Sequence, residues 1–329
     1  MKTFGVLCSG GDGPGMNAVI RAFVRTMYTL NQRVIGIKRG FQGILQEDFT
    51  IELTPSSVGN ILQWGGTFLH TSRFPEFHQK SVRTQAVENL KKHAIDGLFV
   101  IGGDGSFNGG YLLANEHQYP VVCVPASIDN DILGCDYSIG FDTALHTAME
   151  AIDKIRDTAS SHERVFLVEV MGKHSPDLAV HVGVCSGAES VILDVKNPNL
   201  EKVVATVHRG IKRGKSYSII IVSEGAKPGM AYEIQTQLKA QYELESHVCV
   251  LGHIQRGGVP TPRDRYVGAQ YGFHAAKLFV DKTLEWVGKN PSAIVLQKDN
   301  IVAVPLSTSL EKKKRVELTT INMLETLGI

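Results

Sequence analysis

The sequence predicts an α/β fold of two doubly wound lobes with mostly parallel sheets. Three features point there: short, nearly unbroken runs of Val, Ile and Leu; helix-period segments between them; and 33 glycines in 329 residues, concentrated in a few loops that follow the runs. An unbroken apolar run suits a parallel strand covered on both faces, and the intervening segments are long enough for crossover helices. At this length a single core has about stopped growing, so two lobes are expected.

Taken in order, the first run is Thr3 to Cys8, which stops at Ser9-Gly10-Gly11 and leads into a helical segment from Asn17 to about Met27. Further strands are expected at Val34 to Ile37, Leu98 to Ile101 and Val121 to Val124. A long helix, roughly Asp142 to Thr158, links this group to a second one: Val165 to Val170, Ser218 to Val222 and Val248 to Leu251. Gly257-Gly258-Val259-Pro260 then breaks the pattern before a helical run from about Asp264 and a last strand, Ala293 to Leu296. The larger lobe is therefore expected over residues 1–140 plus about 252–305, and the smaller over about 141–251 plus 306–329. The run Glu311-Lys312-Lys313-Lys314-Arg315 reads as a solvated basic helix face.

Composition removes several function classes. A chain that is 43 % hydrophobic is too apolar for disorder, and the glycines follow no Gly-X-Y period. Lys plus Arg number 34 against 33 Asp plus Glu, which gives no general attraction to nucleic acid or an anionic membrane. The cysteines, Cys8, Cys123, Cys135, Cys185 and Cys249, are odd in number and scattered, so neither a disulfide framework nor a metal cluster is expected. With no signal-like or membrane-length apolar stretch and no glycosylation sequon, a cytoplasmic location is expected.

The chemistry is expected where glycine loops follow strands. Ser9-Gly10-Gly11-Asp12-Gly13-Pro14-Gly15-Met16-Asn17 holds more glycine than a tight turn needs. Such a loop can aim backbone N–H groups and a helix dipole at a phosphate. A dinucleotide turn is disfavoured, because the second strand ends in Lys38-Arg39 where a ribose-binding acid belongs. In Gly102-Gly103-Asp104-Gly105-Ser106 an acid sits inside a second such loop. A carboxylate among phosphate-facing N–H groups repels the ligand unless a divalent cation intervenes, so Asp104 reads as a Mg²⁺ residue, with a helix N-cap as the plainer role. A further near-motif, Gly210 to Ser216, is one residue short of a P-loop and precedes a strand.

Pro125-Ala126-Ser127-Ile128-Asp129-Asn130-Asp131 places two carboxylates at a strand's C-terminal end, where open α/β sheets bind ligands. One suits a general base and the other a metal-facing acid. Arg73, Arg164, His253 and Arg256 stand in polar or glycine-rich loops and together suggest a phosphorylated substrate. No HExxH or CxxC motif occurs, which disfavours a zinc enzyme.

These stretches, with Gly66-Thr67-Phe68-Leu69, Arg73-Phe74-Pro75-Glu76-Phe77, Val168-Glu169-Val170-Met171-Gly172 and Gly252-His253-Ile254-Gln255-Arg256-Gly257-Gly258, resemble the 6-phosphofructokinases of bacterial type over nearly the whole chain. The resemblance implies an ATP- and Mg²⁺-dependent kinase of glycolysis, acting on fructose 6-phosphate in a cleft between the lobes. It implies that Gly11, Arg73, Phe74, Gly102, Gly103, Asp104, Gly105 and Ser106 hold ATP, with Asp104 and Asp131 serving the metal. Asp129 is implied as the base, helped by Arg73, Ser127 and Asp131. Ser127, Met171, Gly172, Lys173 and Glu224 are implied around the sugar, and Arg164, His247, His253 and Arg256 around its 6-phosphate. Because Arg164 of this family reaches a neighbouring subunit's site, a homotetramer with shared sites is implied.

Pyrophosphate-dependent members of the family typically carry Asp at the position of Gly105 and Lys at that of Ala126, so ATP is the expected donor. A pyrophosphate enzyme, or a regulatory or altered-specificity member, is the alternative. Lys173 and His247 stand where bacterial members usually have Arg, and losing a charge-assisted bond costs roughly 1.5–3 kcal/mol, so weaker sugar-phosphate binding is expected. Arg21, Arg25, Arg156, Glu189, Arg213 and Lys215 match the family's effector pocket. Pro55, Asn60 and Tyr217 depart from it, so altered regulation is expected.

Overall fold

A computed structural model describes every residue except Glu47, His174 and Ile329. The strands are β1 (Thr3–Ser9), β2 (Arg33–Ile37), β3 (Thr50–Leu53), β4 (Gly97–Gly102), β5 (Val121–Pro125), β6 (Val165–Val170), β7 (Ser190–Ile192), β8 (Ser218–Ser223), β9 (His247–Val250), β10 (Ser292–Gln297) and β11 (Asn300–Pro305). The helices are α1 (Met16–Thr29), α2 (Gly40–Gly43), α3 (Lys80–Lys92), α4 (Asp104–His117), α5 (Phe141–Ser161), α6 (Asp177–Ser186), α7 (Leu200–Lys212), α8 (Met230–Tyr242), α9 (Pro262–Asp281), α10 (Leu284–Lys289) and α11 (Leu318–Leu327). Every apolar run read from the sequence is a strand, while β3, β7 and β11 are additional. No helix among the described residues is long and apolar enough to cross a membrane.

The chain divides into two compact units, Met1–Thr143 with Arg256–Lys314, and Ala144–Gln255 with the segment from Arg315 on. The first unit is built on a seven-stranded sheet in the order β11-β10-β5-β4-β1-β2-β3. Its interior pairs are parallel, and β3 and β11 close the two edges antiparallel. Alternate residues of the buried strands face opposite sides. On one side Phe4 and Phe99 meet Phe279 and Phe23, with centroids 4.9 and 4.4 Å apart. There α1 and α9 pack backbone to backbone, because a Cβ on Gly272 would lie 2.3 Å from the Val19 carbonyl oxygen. On the other side Leu7, Leu98, Val100 and Cys123 join Phe107 and Leu113 of α4 and the stacked pair Phe41 and Phe77. Each fully buried side chain of this size contributes about 1.5–3 kcal/mol.

The second unit has a four-stranded parallel sheet, β7-β8-β6-β9. Leu167, Ile220 and Val222 pack against Val207, Ile234 and Leu238. The buried Glu169 carboxylate accepts from the Gly229 and Ala231 amides at 2.7 and 2.8 Å, which anchors the start of α8 to the sheet.

One expectation fails here. The basic run 311–315 is not helical; it continues from a 3₁₀ turn at Thr308–Leu310 as irregular chain towards α11. The irregular path lets Lys313 reach the Asp131 carboxylate at 3.2 Å, so the run is not merely a solvated face.

Candidate active site

Ser9, Gly102 and Pro125 are register partners across β1, β4 and β5. Three loops thus leave one edge of the sheet from strands about 4.8 Å apart. Cross-links fix them together: the Ser106 hydroxyl donates to the Ser9 carbonyl at 2.8 Å, and the Ala126 amide to the Gly102 carbonyl at 2.9 Å.

The loop after β1 ends at Gly15, whose φ of 103° is left-handed and whose added Cβ would sit 2.7 Å from Ile139 Cγ2. Only glycine meets both demands without strain. The Gly10 amide donates to the Ser72 carbonyl at 3.2 Å and Thr71 Oγ1 donates to the Gly10 carbonyl at 3.0 Å, which brings the exposed Arg73 beside the loop. Phe74 is pinned next to it on Phe77, with centroids 6.5 Å apart. Arg256 donates from Nη1 to the Asp12 carbonyl at 3.2 Å and lies against Gly11. It is therefore held at this first loop.

Gly103 caps α4, and Asp104 is the helix's exposed first residue, not its capping side chain. A Cβ on Gly105 would meet nothing within 4 Å, so the helix N-terminus opens onto free space. Free N–H groups and the helix dipole make that space suited to an anion.

After β5 the chain turns sharply at Asn130, with φ 48°. The Asp129 amide and the Asp131 carboxylate both bond Ser127 Oγ at 3.3 Å. Asp131 is buried while Asp129 is half-buried, so the two carboxylates face different surroundings. Asn130 locks the turn: its Oδ1 accepts from the Ser138 amide at 2.9 Å and its Nδ2 donates to the Asp136 carbonyl at 3.3 Å.

Segment 137–143 is held in turn by Asp264, at the start of α9. Its carboxylate accepts from the Gly140 and Thr143 amides at 2.8 and 2.9 Å and from the Thr143 and Tyr137 hydroxyls. Burial pushes its carboxyl up to about 6, although those hydrogen bonds pull the other way. In the sequence Asp264 marks only the start of a helix. Its signal was Thr261-Pro262-Arg263-Asp264, an N-cap, a first-turn Pro and an acid.

In the second unit, Met171 and Glu224 are buried where β6 and β8 end, and exposed His253 follows β9. The Met171 amide donates to Oε1 of the fully buried Gln255 at 2.8 Å, a partner the sequence did not single out. Gly172 and Lys173 follow with φ of 146° and 37°, and Lys173 is exposed. Arg164 and His247 are not with this group. Arg164 precedes β6, and His247 opens β9 opposite Phe166, its ring 5.3 Å from the Phe166 ring. Both exposed side chains lie at the N-terminal end of the sheet, about 20 Å of strand from Met171.

The residues matched to an effector pocket also fall into two groups. Arg156, Glu189, Arg213 and Lys215 belong to the second unit. Glu189, Arg213 and Lys215 line a cavity of about 90 Å³, Lys215 pairs with Glu189, and Arg156 donates to the Tyr217 hydroxyl at 3.2 Å. In the first unit, Arg25 donates to the Pro55 carbonyl at 3.5 Å, and Nε of Arg21 is buried without a partner among the described residues.

Carboxylate oxygens at Asp104 and Asp131 are hard donors of the kind Mg²⁺ prefers. Among the described residues no group of three His, Cys, Asp or Glu gathers as a metal cage. That donor set fits an ion shared with a ligand's phosphates, because Mg²⁺ commonly takes one or two carboxylates and completes its shell with phosphate and water.

The family model described as Phosphofructokinase matches residues 3–279. A curated relative from Lysinibacillus sphaericus, named ATP-dependent 6-phosphofructokinase, is 44 % identical over the full length of both chains. Another of that name, from Caldanaerobacter subterraneus, is 47 % identical over 95 % of each. The solved phosphofructokinase of Saccharomyces cerevisiae superposes with a TM-score of 0.88 at 31 % identity; all of this chain is matched, spanning 48 % of the yeast chain. A pyrophosphate-dependent phosphofructokinase from Marinobacter aquaeolei shares the fold, with a TM-score of 0.81 over 99 % of this chain and 91 % of that one at 22 % identity.

Proposed function

The chain belongs to the phosphofructokinase family, and on that premise we propose how its residues transfer the γ-phosphoryl group of ATP to the 1-hydroxyl of fructose 6-phosphate. The enzyme is a phosphotransferase with an alcohol acceptor, and its products are ADP and fructose 1,6-bisphosphate. The observation that carries the residue assignment is the shared edge of β1, β4 and β5, from which both glycine loops and the acidic turn emerge.

ATP lies along the two glycine loops, with its phosphates at the open N-terminus of α4 and Arg73 beside the transferring group. Asp129, the less buried carboxylate of the turn, takes the proton of the attacking hydroxyl. Ser127 fixes both the Asp129 amide and the Asp131 carboxylate, so base and metal-facing acid keep one spacing. Asp104 and Asp131 would hold Mg²⁺, which would neutralise the phosphate charge that the two carboxylates otherwise repel. Gly105 favours ATP over pyrophosphate: its missing side chain leaves room for the nucleotide, and an Asp there would set a negative charge against the α-phosphate.

Met171, Gly172, Lys173 and Glu224 line the sugar, and His253 and Arg256 hold its 6-phosphate. Arg164 and His247 sit at the opposite end of the β6 and β9 strands, which supports their serving the site of a second copy in a homotetramer. Lys173 and His247 weaken the grip on fructose 6-phosphate. The cavity lined by Glu189, Arg213 and Lys215 in the second unit is an effector subsite altered by Tyr217, and Arg21 and Arg25 of the first unit are anion-binding effector residues altered by Pro55 and Asn60. The setting is cytoplasmic glycolysis.

The test is an assay of the purified full chain with ATP and with pyrophosphate against a panel of sugar phosphates in Mg²⁺. ATP with fructose 6-phosphate is expected to give the highest kcat/KM. Faster turnover with pyrophosphate, or none with fructose 6-phosphate, contradicts the reading.

A further inference from the structure

The lysines of the run 311–315 have no role in the assignment above, yet two of them converge on the acidic turn. Lys313 Nζ lies 3.2 Å from Asp131 Oδ2, and the Lys314 amide donates to the Asp131 carbonyl at 3.2 Å. Lys314 Nζ donates to the Asp136 carbonyl at 3.1 Å. Consecutive residues thus grip both ends of segment 131–136. Ser127 bonds Asp131 Oδ1 and Lys313 bonds Oδ2, so each carboxylate oxygen is restrained once and keeps a lone pair for the metal.

An exposed lysine pair is usually worth little, because water screens it and the side chain loses entropy. Here one partner is buried, since the Asp131 side chain is 9 % exposed against 47 % for Lys313, which reduces the screening. The backbone bond from Lys314 also fixes where the lysine stem starts. The chain passes from the first unit into the second between Lys314 and Arg315, so this grip stands at a crossing.

We propose that Lys313 is a positioning residue for the phosphoryl transfer: with the Lys314 backbone it clamps the Asp131–Asp136 segment and thereby holds the Asp129 carboxylate in register with the acceptor hydroxyl. The inference rests on Asp129 acting as the base. Lys313 touches neither substrate; it acts through the Ser127–Asp131 turn. A displacement of the order of 1 Å at a reacting group lowers turnover by up to about a hundredfold.

The experiment compares wild type with Lys313→Met, which keeps the aliphatic stem and removes the charge, and with Lys313→Arg, which restores it. Two quantities are read: steady-state kinetics with ATP, Mg²⁺ and fructose 6-phosphate, and hydrogen–deuterium exchange of the peptide 126–136 in metal-free, ligand-free protein. Lys313→Met is expected to lower kcat roughly ten- to a hundredfold with the fructose 6-phosphate KM within about twofold, and to speed exchange in 126–136. Lys313→Arg is expected to recover most of both. Wild-type kcat in Lys313→Met overturns the proposal, and so does a fall in kcat with unchanged exchange. If the wild type itself fails to phosphorylate fructose 6-phosphate, the base assignment falls; the exchange result then decides the clamp alone, faster exchange supporting it and unchanged exchange refuting it.

Discussion

Replacing Asp264 by Asn separates a buried carboxylate's hydrogen bonds from its charge. Four donors converge on Asp264, from Gly140, Tyr137 and both polar groups of Thr143. Burial nevertheless outweighs them and moves its carboxyl from 3.8 to about 6. With the folded value above the unfolded one, the folded chain holds its proton longer. The stability this group contributes is therefore fully present below about pH 3.8 and is lost as pH rises through 6. A gap of about two units corresponds to about 3 kcal/mol. Asn does not titrate, and its amide N–H₂ faces a donor where the carboxylate accepted, so the variant carries a penalty that does not vary with pH. Urea unfolding of both proteins at steps between about pH 4 and 7 is expected to show the stability difference, wild type minus Asp264→Asn, shrinking by about 2 kcal/mol of that total as pH rises. A difference that stays flat, or grows with pH, refutes the reasoning.

Gly105→Asp adds a side chain where nothing lies within 4 Å, so the melting temperature is expected to hold while the ATP KM rises tenfold or more, about 1.4 kcal/mol or above. Unchanged ATP kinetics would separate Gly105 from the nucleotide. His247→Arg restores a permanently charged fork, and the fructose 6-phosphate KM is expected to fall about ten- to a hundredfold with kcat little changed; an unaltered KM removes His247 from phosphate binding. Gly15→Ala puts a Cβ 2.7 Å from Ile139 Cγ2 at a φ of 103° and is expected to cost about 2 kcal/mol or more in thermal or urea unfolding, with wild-type stability as the contrary result.

The central strands were legible because they are buried on both faces and so must be apolar throughout. The edges were not. β7 has three residues, and β3 is partly exposed and antiparallel, so neither produces an unbroken apolar run. β11 folds back on β10 through Lys298-Asp299, both left-handed with φ of 48° and 63°. Such two-residue hairpins are normally announced by Asn-Gly or Asp-Gly, and Lys-Asp hides the turn. At the site, the glycine loops and the acidic turn were legible because phosphate-facing backbone and paired carboxylates are local features of sequence. The position of Arg256 against Gly11, the Asp264 hub and the Lys313 clamp were not. Each joins segments far apart in the chain, and neither spacing nor charge pattern carries that information.

The most direct test of the account is the turnover of Asp129→Asn with ATP, Mg²⁺ and fructose 6-phosphate. Asn keeps the size of the side chain and removes the ability to accept the hydroxyl proton, so kcat is expected to fall about 10²–10⁴-fold with little change in the KM of either substrate. A variant that turns over at close to the wild-type rate contradicts the claim that Asp129 is the base.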